Sequence, residues 1–173
     1  MNKEEITAHV LLAKNGDAGS FCELYELYYK DMYRYAYYML GGGDDVEDVI
    51  SETVLDAFTG IKNLRHPAKF KSWIFQILTT KCKRQIASYI KDREHTKDDV
   101  DENQLRKEDH PYALNVDVRN AFEALNEMEK TVVSLMVFGG YNSRETAKML
   151  KSREGTIRSL KSRAFNKMSE YLK

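Results

Sequence analysis

Eight basic side chains lie between residues 143 and 167: Arg144, Lys148, Lys151, Arg153, Arg158, Lys161, Arg163 and Lys167, opposed only by Glu145 and Glu154. Cations at that density suit a polyanion, and arginine is the donor whose fork matches phosphate and base edges bidentately. A second basic run occupies 60–93, with nine basic residues against one acidic. The intervening stretches are acidic. Residues 1–59 hold 12 acidic and 4 basic side chains, 94–117 hold 8 and 3, and 118–173 return to 11 basic against 6 acidic. The formal charge of zero is therefore a cancellation of blocks at −8, +8, −5 and +5. Segregation of this kind points to two polyanion-facing surfaces and one acidic surface meant for something else. On charge alone, any one block reads equally well as a solvated helix face.

Other chemistry is poorly supplied. His9, His66, His95 and His110 are scattered, and no glycine-rich phosphate loop, metal-ligand spacing or nucleophile signature accompanies them. Cys22 and Cys82 stand 60 positions apart without a partner motif and read as ordinary buried thiols of a reducing compartment. The expectation is no enzyme, no cofactor and no metal site. The apolar runs fall short of the roughly 20 residues of a membrane span. The N-terminus, Met1 to Glu5, is polar and lacks the apolar core of a signal peptide. A cytoplasmic protein without membrane insertion is expected.

The elements that must position these residues are helical. Ile6 and Val10 start a short helix that Gly16 ends. Phe21, Leu24, Tyr25, Tyr28, Met32, Tyr35, Ala36 and Met39 then recur at the three- and four-residue spacing of one buried helix face. Gly41-Gly42-Gly43 stops that helix, and Asp44 or Asp45 is placed to cap the next. The third helix takes its apolar stripe from Val46, Val49, Ile50, Thr53, Ala57 and Phe58, and carries Asp45, Glu47, Asp48, Glu52 and Asp56 elsewhere. Gly60 to Pro67 reads as a loop. A fourth helix runs from about Ala68 to Ile90, with Phe70, Trp73, Ile74 and Ile77 towards the core.

Residues 93–117 are polar, acidic and nearly free of large apolar side chains, which predicts a flexible linker. A second unit follows: a helix marked by Val118, Ala121, Phe122 and Leu125, and another by Val132, Val133, Leu135 and Met136, ended by Gly139-Gly140. Ser143 is placed to cap a short helix carrying Ala147 and Leu150. Lys151-Ser152-Arg153 makes a tight turn, and a longer helix opens near Glu154 with a stripe of Ile157, Leu160, Ala164 and Met168. This is a helix-turn-helix whose second helix would present its N-terminal half to base edges while flanking cations meet phosphates. Gly155 near its start lets the backbone approach a phosphodiester. The fold expected is all-α: two small helical domains, 1–92 and 118–173, joined by the acidic linker.

The run Glu154-Gly155-Thr156-Ile157-Arg158-Ser159-Leu160-Lys161-Ser162-Arg163-Ala164 resembles the end of the promoter-reading domain of extracytoplasmic-function (group four) sigma factors of bacterial RNA polymerase. Ala124 to Lys130 with Gly140-Tyr141-Asn142-Ser143 resembles the opening of that domain. Asp45 to Thr53, followed by Ala57-Phe58 and Phe70-Lys71-Ser72-Trp73-Ile74, resembles the family's other domain. The three stand in the family's order, over roughly 20–90 and 118–172.

The resemblance implies a sigma factor that binds core RNA polymerase and directs initiation at promoters with −35 and −10 elements. It maps −35 contacts onto Arg153, Gly155, Thr156, Arg158, Ser159, Ser162 and Arg163. It maps −10 contacts onto Arg65, His66, Lys69, Lys71, Thr80, Lys83 and Arg84, where the loop and fourth helix of the family capture an unstacked base; Lys81 adds charge there. Docking on core polymerase falls to Asp45, Glu47, Asp48, Glu52 and Asp56. Two departures stand out. Thr79-Thr80 occupies the place of a frequent Arg-Asn-like pair, and Met136 that of a phosphate-contacting arginine. Trp73, in register with Phe70 and Ile77, reads as core and not as a stacking platform. Tyr25, Tyr28, Tyr29, Tyr33, Tyr35, Tyr37 and Tyr38 circle the second helix, which suggests that some meet another protein such as an anti-sigma factor. That partner could hold an otherwise cytoplasmic protein at the membrane. The alternative is a one-component helix-turn-helix regulator. It would need a ligand pocket, which the small, charged N-terminal unit does not suggest.

Overall fold

The computed structural model of the protein describes residues 1–95 and 116–172, with side chains described outside 93–95. Eight α-helices account for most of them, and no strand occurs among the described residues. Helix α1 (Lys3–Lys14) starts at Asn2, whose side chain accepts from the amides of Glu4 and Glu5 while the Glu5 carboxylate returns to the Asn2 amide. Such a capping box satisfies orphan donors at both ends of the exchange. Asp17 caps α2 (Ala18–Leu40) through the Ser20 amide. Helix α2 ends at Gly41, φ 82°, and Gly42 and Gly43 follow with positive φ. A side chain at Gly42 would also stand 3.2 Å from the Tyr37 ring, so the glycine run is both a left-handed exit and a close approach.

Helix α3 (Asp45–Gly60) begins differently from expectation. Asp44 holds the cap position in a helical conformation and makes no side-chain cap hydrogen bond. Asp45 instead accepts from the Tyr89 hydroxyl. Val46, Val49, Ile50, Thr53 and Ala57 are buried as the stripe requires, whereas Phe58 is exposed with its ring edge-on to Phe21. The segment after Gly60 is two 3-10 turns, Ile61–Asn63 and Pro67–Lys69, and α4 runs from Phe70 to His95. It is longer than expected because its polar second half carries no breaker until well past Ile90.

The C-terminal unit comprises α5 (Val116–Glu123), α6 (Glu127–Val137), α7 (Ser143–Met149) and α8 (Glu154–Tyr171). The cap of α7 is Asn142, paired with Glu145 in a capping box, and Ser143 is the first helical residue instead. Asn142 wins because only from that position does the i+3 carboxylate of Glu145 close the exchange. Asn126 and Glu129 repeat the motif on α6. Gly139 has no room for a side chain: a Cβ there would lie 2.5 Å from the Leu135 carbonyl oxygen.

Most of the expected linker lies outside the described residues; α4 and α5 reach into its two ends. The two helical domains share apolar packing. Leu24, Met32, Tyr35, Ile50, Phe70, Ile74 and Phe75 belong to one continuous cluster with Ala121, Phe122, Val133, Leu135 and Phe138. Val132, Ala147, Ile157 and Leu160 form a smaller cluster under the helix-turn-helix. Five of the seven tyrosines of α2 are buried (Tyr28, Tyr33, Tyr35, Tyr37 and Tyr38), and Tyr25 and Tyr29 are half-buried, so the group mainly fills the protein's own interior. Tyr25, Tyr29, Tyr33 and Tyr37 line up as a ladder of ring contacts at four-residue spacing, with centroids 5.4–6.3 Å apart and the last pair stacked. Cys82 is buried, and Cys22 is exposed on the outer face of α2, contrary to its expected burial. No helix among the described residues is long and apolar enough to cross a membrane.

Candidate nucleic-acid interface

Helices α7 and α8 meet through a turn built on Lys151, which adopts φ 51°. The Ser152 amide reaches the Ala147 carbonyl at 2.9 Å and the Lys151 amide the Lys148 carbonyl at 3.4 Å. This is the Schellman arrangement, here with lysine where glycine is usual. Arg153 precedes α8 in an extended conformation. Ile157, Leu160, Ala164 and Met168 then turn one stripe of α8 inward. Arg153, Gly155, Thr156, Arg158, Ser159, Ser162 and Arg163 are consequently all exposed. Nothing lies within 4 Å of where a Cβ on Gly155 would stand, so that part of the first turn is open to an approaching backbone. Arg158 is oriented along the helix by Glu154 at 2.5 Å, and Lys161 lies over the Phe165 ring at 5.7 Å. Ser143, Arg158, Lys161, Ser162, Phe165 and Asn166 line a groove of about 440 Å³ beside this face.

Lys167 does not join them. Its ammonium donates to the Glu129 carboxylate at 2.8 Å, and that carboxylate is buried and also accepts from the Asn126 amide. Burial works against the Glu129 charge, but the Lys167 and Asn126 hydrogen bonds outweigh it and hold the carboxyl below its usual range. Met136 is partly buried against the small cluster.

A second concavity, about 310 Å³, lies between the turn before α4 and the start of α4 itself. Arg65, His66 and Lys69 stand around it with Asn63, Leu64, Ser72, Trp73 and Gln76. Trp73 packs on Phe70 at 5.9 Å and closes over Gly60, yet it also lines this opening, so it serves core and concavity together. The turn is braced from α1, where Lys14 donates to the Leu64 carbonyl at 2.7 Å. A pocket with a flat aromatic wall and a cationic rim has the shape and polarity for one unstacked base and its phosphate.

The remaining −10 candidates are placed elsewhere. Arg84 pairs with Glu52 of α3, as does Lys81 at 3.1 Å, and Lys81 also reaches Asp56 at 2.7 Å. The Asp56 hydrogen bond leads in holding the Lys81 ammonium above its ordinary range, and the Lys81 hydrogen bond leads in holding the Glu52 carboxyl below its own. Lys83 sits 3.7 Å from Glu127 of the other unit, and Thr80 lines the groove between the units. Lys71 lies among the rings of Tyr28, Phe75 and Tyr141. Thr79 is buried, bonded to the Tyr35 hydroxyl at 2.9 Å.

The acidic set on α3 is divided too. Glu47 accepts from Tyr29 at 3.3 Å, Asp45 from Tyr89, and Glu52 and Asp56 from α4, while Asp48 is exposed. Leu55, on the same helix, is 62% exposed beside them, an apolar centre that charge counting alone passes over. Ser72, Trp73 and Gln76 were likewise missed as pocket residues, although their spacing from Lys69 places all four on one helix face. No group of three or more His, Cys, Asp or Glu side chains among the described residues is arranged to hold a metal ion.

Comparison with known proteins meets these two sites separately. Sigma-70 region 2 matches residues 24–93, which contain the acidic helix and the aromatic-walled pocket. Sigma-70 region 4 matches 121–170, which contain the helix-turn-helix. The chain is 29% identical over 170 residues to the ECF RNA polymerase sigma factor BldN of Streptomyces coelicolor, covering 92% of this chain and 63% of that protein's length. It is 25% identical to RNA polymerase sigma factor SigV of Bacillus subtilis over 80% of this chain and 82% of the relative. With the ECF sigma factor SigM of Mycobacterium tuberculosis, it shares 25% identity over 99% of this chain and 84% of the relative. Among solved structures, CnrH in complex with the cytosolic domain of CnrY has the same fold, with a TM-score of 0.72 at 18% identity over 97% of both chains. So has RpoE of Bartonella quintana in complex with the anti-sigma factor NepR, with a TM-score of 0.72 at 21% identity over 88% of this chain and 96% of that one. With both regions matched in order, each around its own exposed basic site, the chain belongs to the extracytoplasmic-function sigma factors.

Proposed function

We infer that this chain binds core RNA polymerase and directs promoter-specific initiation, reading a −35 element with α8 and a −10 element with the pocket ahead of α4. The observation that carries this reading is the pairing of two different nucleic-acid sites in one chain. One is a fully exposed basic helix face suited to a duplex groove, and the other a small aromatic-walled pocket suited to a base out of its stack. A duplex reader needs only the first. Extracting a base costs a few kcal/mol, and a pocket that holds it returns that energy only when strands separate. In this account Arg153, Arg158 and Arg163 meet base edges or phosphates, Thr156, Ser159 and Ser162 add short polar contacts, and Gly155 admits the backbone. Arg65, His66 and Lys69 hold the phosphates around the extracted base.

The core polymerase contact falls on the outer face of α3, where Asp48 and Leu55 are exposed alongside Glu47, Glu52 and Asp56. A carboxylate-rich face repels DNA and suits a basic protein surface. Members of this family are initiation factors and not enzymes, and the same holds for this chain in our reading. The protein acts in the cytoplasm, with an anti-sigma factor as its inhibitory partner. The N-terminal domain spans 1–92 and the C-terminal domain 118–173. The one-component regulator is not favoured, because the N-terminal unit matches Sigma-70 region 2 and not a sensor.

The test is reconstituted transcription on genomic DNA from the source cell, by its core polymerase with and without the chain. New transcript starts that need the chain are expected. An unchanged set of starts, with no association between chain and core, would overturn the reading.

A further inference from the structure

Helix α1 precedes the residues that Sigma-70 region 2 matches, and none of its side chains lines the pocket ahead of α4. It is firmly seated nonetheless. Val10 and Ala13 are buried, and the His9 ring stands 3.2 Å from the buried Ser20 hydroxyl of α2. From the last turn of α1, Lys14 reaches 50 positions along the chain to donate to the Leu64 carbonyl at 2.7 Å.

The hydrogen bonds within the turn do not fix it as a whole. The Leu64 amide bonds to the Ile61 carbonyl and the Lys69 amide to the His66 carbonyl, each within one 3-10 turn. Neither bond spans the link between the two turns. Ile61 and Leu64 are buried anchors, whereas Arg65, His66 and Lys69 are exposed on the pocket rim. Leu64 leaves the first turn in an extended conformation, ψ 108°, so the Leu64–Arg65 peptide is where the chain passes from core to rim. A trans peptide is one rigid plane. Holding its carbonyl on Lys14 therefore also sets the Arg65 amide, which points the opposite way, and the starting direction of the rim.

We propose that Lys14 is a positioning residue for the −10 site: its bond to the Leu64 carbonyl sets where Arg65 and His66 stand around the extracted base, and so how sharply that base is discriminated. Two other roles for this lysine leave different traces. A lysine that meets a phosphate weakens all promoters alike and contributes about one to the salt slope. A lysine that only complements the C-terminal dipole of α1 changes stability and leaves base preference alone.

The proposal rests on the −10 reading of the pocket, and the experiment separates the two. Lys14→Met keeps the stem and removes the donor, and Lys14→Arg keeps a cationic donor. Both are compared with Arg65→Ala in core-dependent transcription from promoters varied at each −10 and −35 position, alongside thermal melting. Trp73, the chain's one tryptophan, walls the pocket and reports on it in the free full-length chain. Acrylamide is the quencher, because it is neutral and insensitive to the charge removed. Lys14→Met should show faster quenching of Trp73. It should also lose about tenfold in discrimination at one −10 position, the size of one charge-assisted hydrogen bond at a part-exposed site. Core binding and −35 discrimination should be kept, and Lys14→Arg should retain most of the −10 discrimination. Unchanged quenching, a loss spread equally over −10 and −35 positions, or a salt slope lowered by about one overturns the positioning role. So does full −10 discrimination in Lys14→Met where Arg65→Ala has lost it, and the pocket reading then stands alone. Full −10 discrimination in both variants overturns the pocket reading and the role of Lys14 with it.

Discussion

Replacing Arg158 and Lys167 by alanine, one at a time, separates reading from folding on a single helix. Both are basic residues of α8, and charge counting treats them alike. Arg158 is exposed and, among the described residues, is engaged by Glu154 one turn earlier, a contact whose loss costs about 0.3–0.5 kcal/mol of stability. Lys167 donates to a carboxylate that is 3% exposed and that also caps α6. A hydrogen bond to a charged group contributes about 1.5–3 kcal/mol. Because Lys167 itself is 44% exposed, we discount this for solvent screening to about 1–2 kcal/mol. For a chain of this size, each kcal/mol moves Tm by about 2–4 °C. Lys167→Ala should therefore lower Tm by about 2–8 °C and leave promoter discrimination intact. Arg158→Ala should lower Tm by no more than about 2 °C. It should also lose about 1–3 kcal/mol of discrimination at one −35 base pair, a factor of about 5 to 150 in relative initiation. The assay pairs thermal melting with core-dependent transcription from promoters varied at each −35 position. Equal and sequence-independent loss for both variants would refute the assignment of α8.

Other consequences are as specific. Gly155→Ala should raise stability by up to about 1 kcal/mol, since the added methyl meets nothing and alanine favours helix; −35-dependent transcription should nonetheless fall, measured against the same melting curve. Lys151→Gly should stabilise the protein by about 1 kcal/mol or more by relieving a left-handed non-glycine residue, detected as a rise in Tm. Glu129 and Glu52 have folded pKa values below the ordinary carboxylate value, so their stabilisation is complete above that value and is lost as pH falls below it. Acid titration of the melting temperature should show this loss, and Glu129→Gln should flatten it while lowering stability at neutral pH.

The helices were legible because their apolar spacing is strong. The stripe of Ile157, Leu160, Ala164 and Met168 needs no tertiary information to place α8 with its basic face outward. The caps were harder. Asp44 and Ser143 are good capping residues by type, but Asn142 forms the box with Glu145, and Asp44 is already helical. The tyrosines of α2 mislead because their spacing circles the helix, which suggests an outer partner. In fact α2 packs against α1, α3, α4 and α6, and its second half, where Met32, Tyr33 and Tyr35 to Met39 are buried, needs apolar mass nearly all round. Site residues divided along the same line. Those on α8 could be read from one helix's period. Lys71, Lys83 and Arg84 could not be sorted from Arg65 and Lys69, because their partners Tyr141, Glu127 and Glu52 are brought to them only by tertiary packing. Glu52 and Asp56 likewise count as free carboxylates in the sequence and as partners of α4 in the structure.

In the function proposed, two grips of one chain read one promoter at a separation set by core polymerase. Changing the number of base pairs between the −35 and −10 elements of a chain-dependent promoter tests it directly. With the chain and core polymerase in a reconstituted reaction, insertion of five or of ten base pairs should abolish the chain-dependent start, since neither restores the fixed distance. A start that survives the ten-base-pair insertion, where a full helical turn returns the upstream site to the same face, would contradict the account and mark an upstream-binding regulator instead.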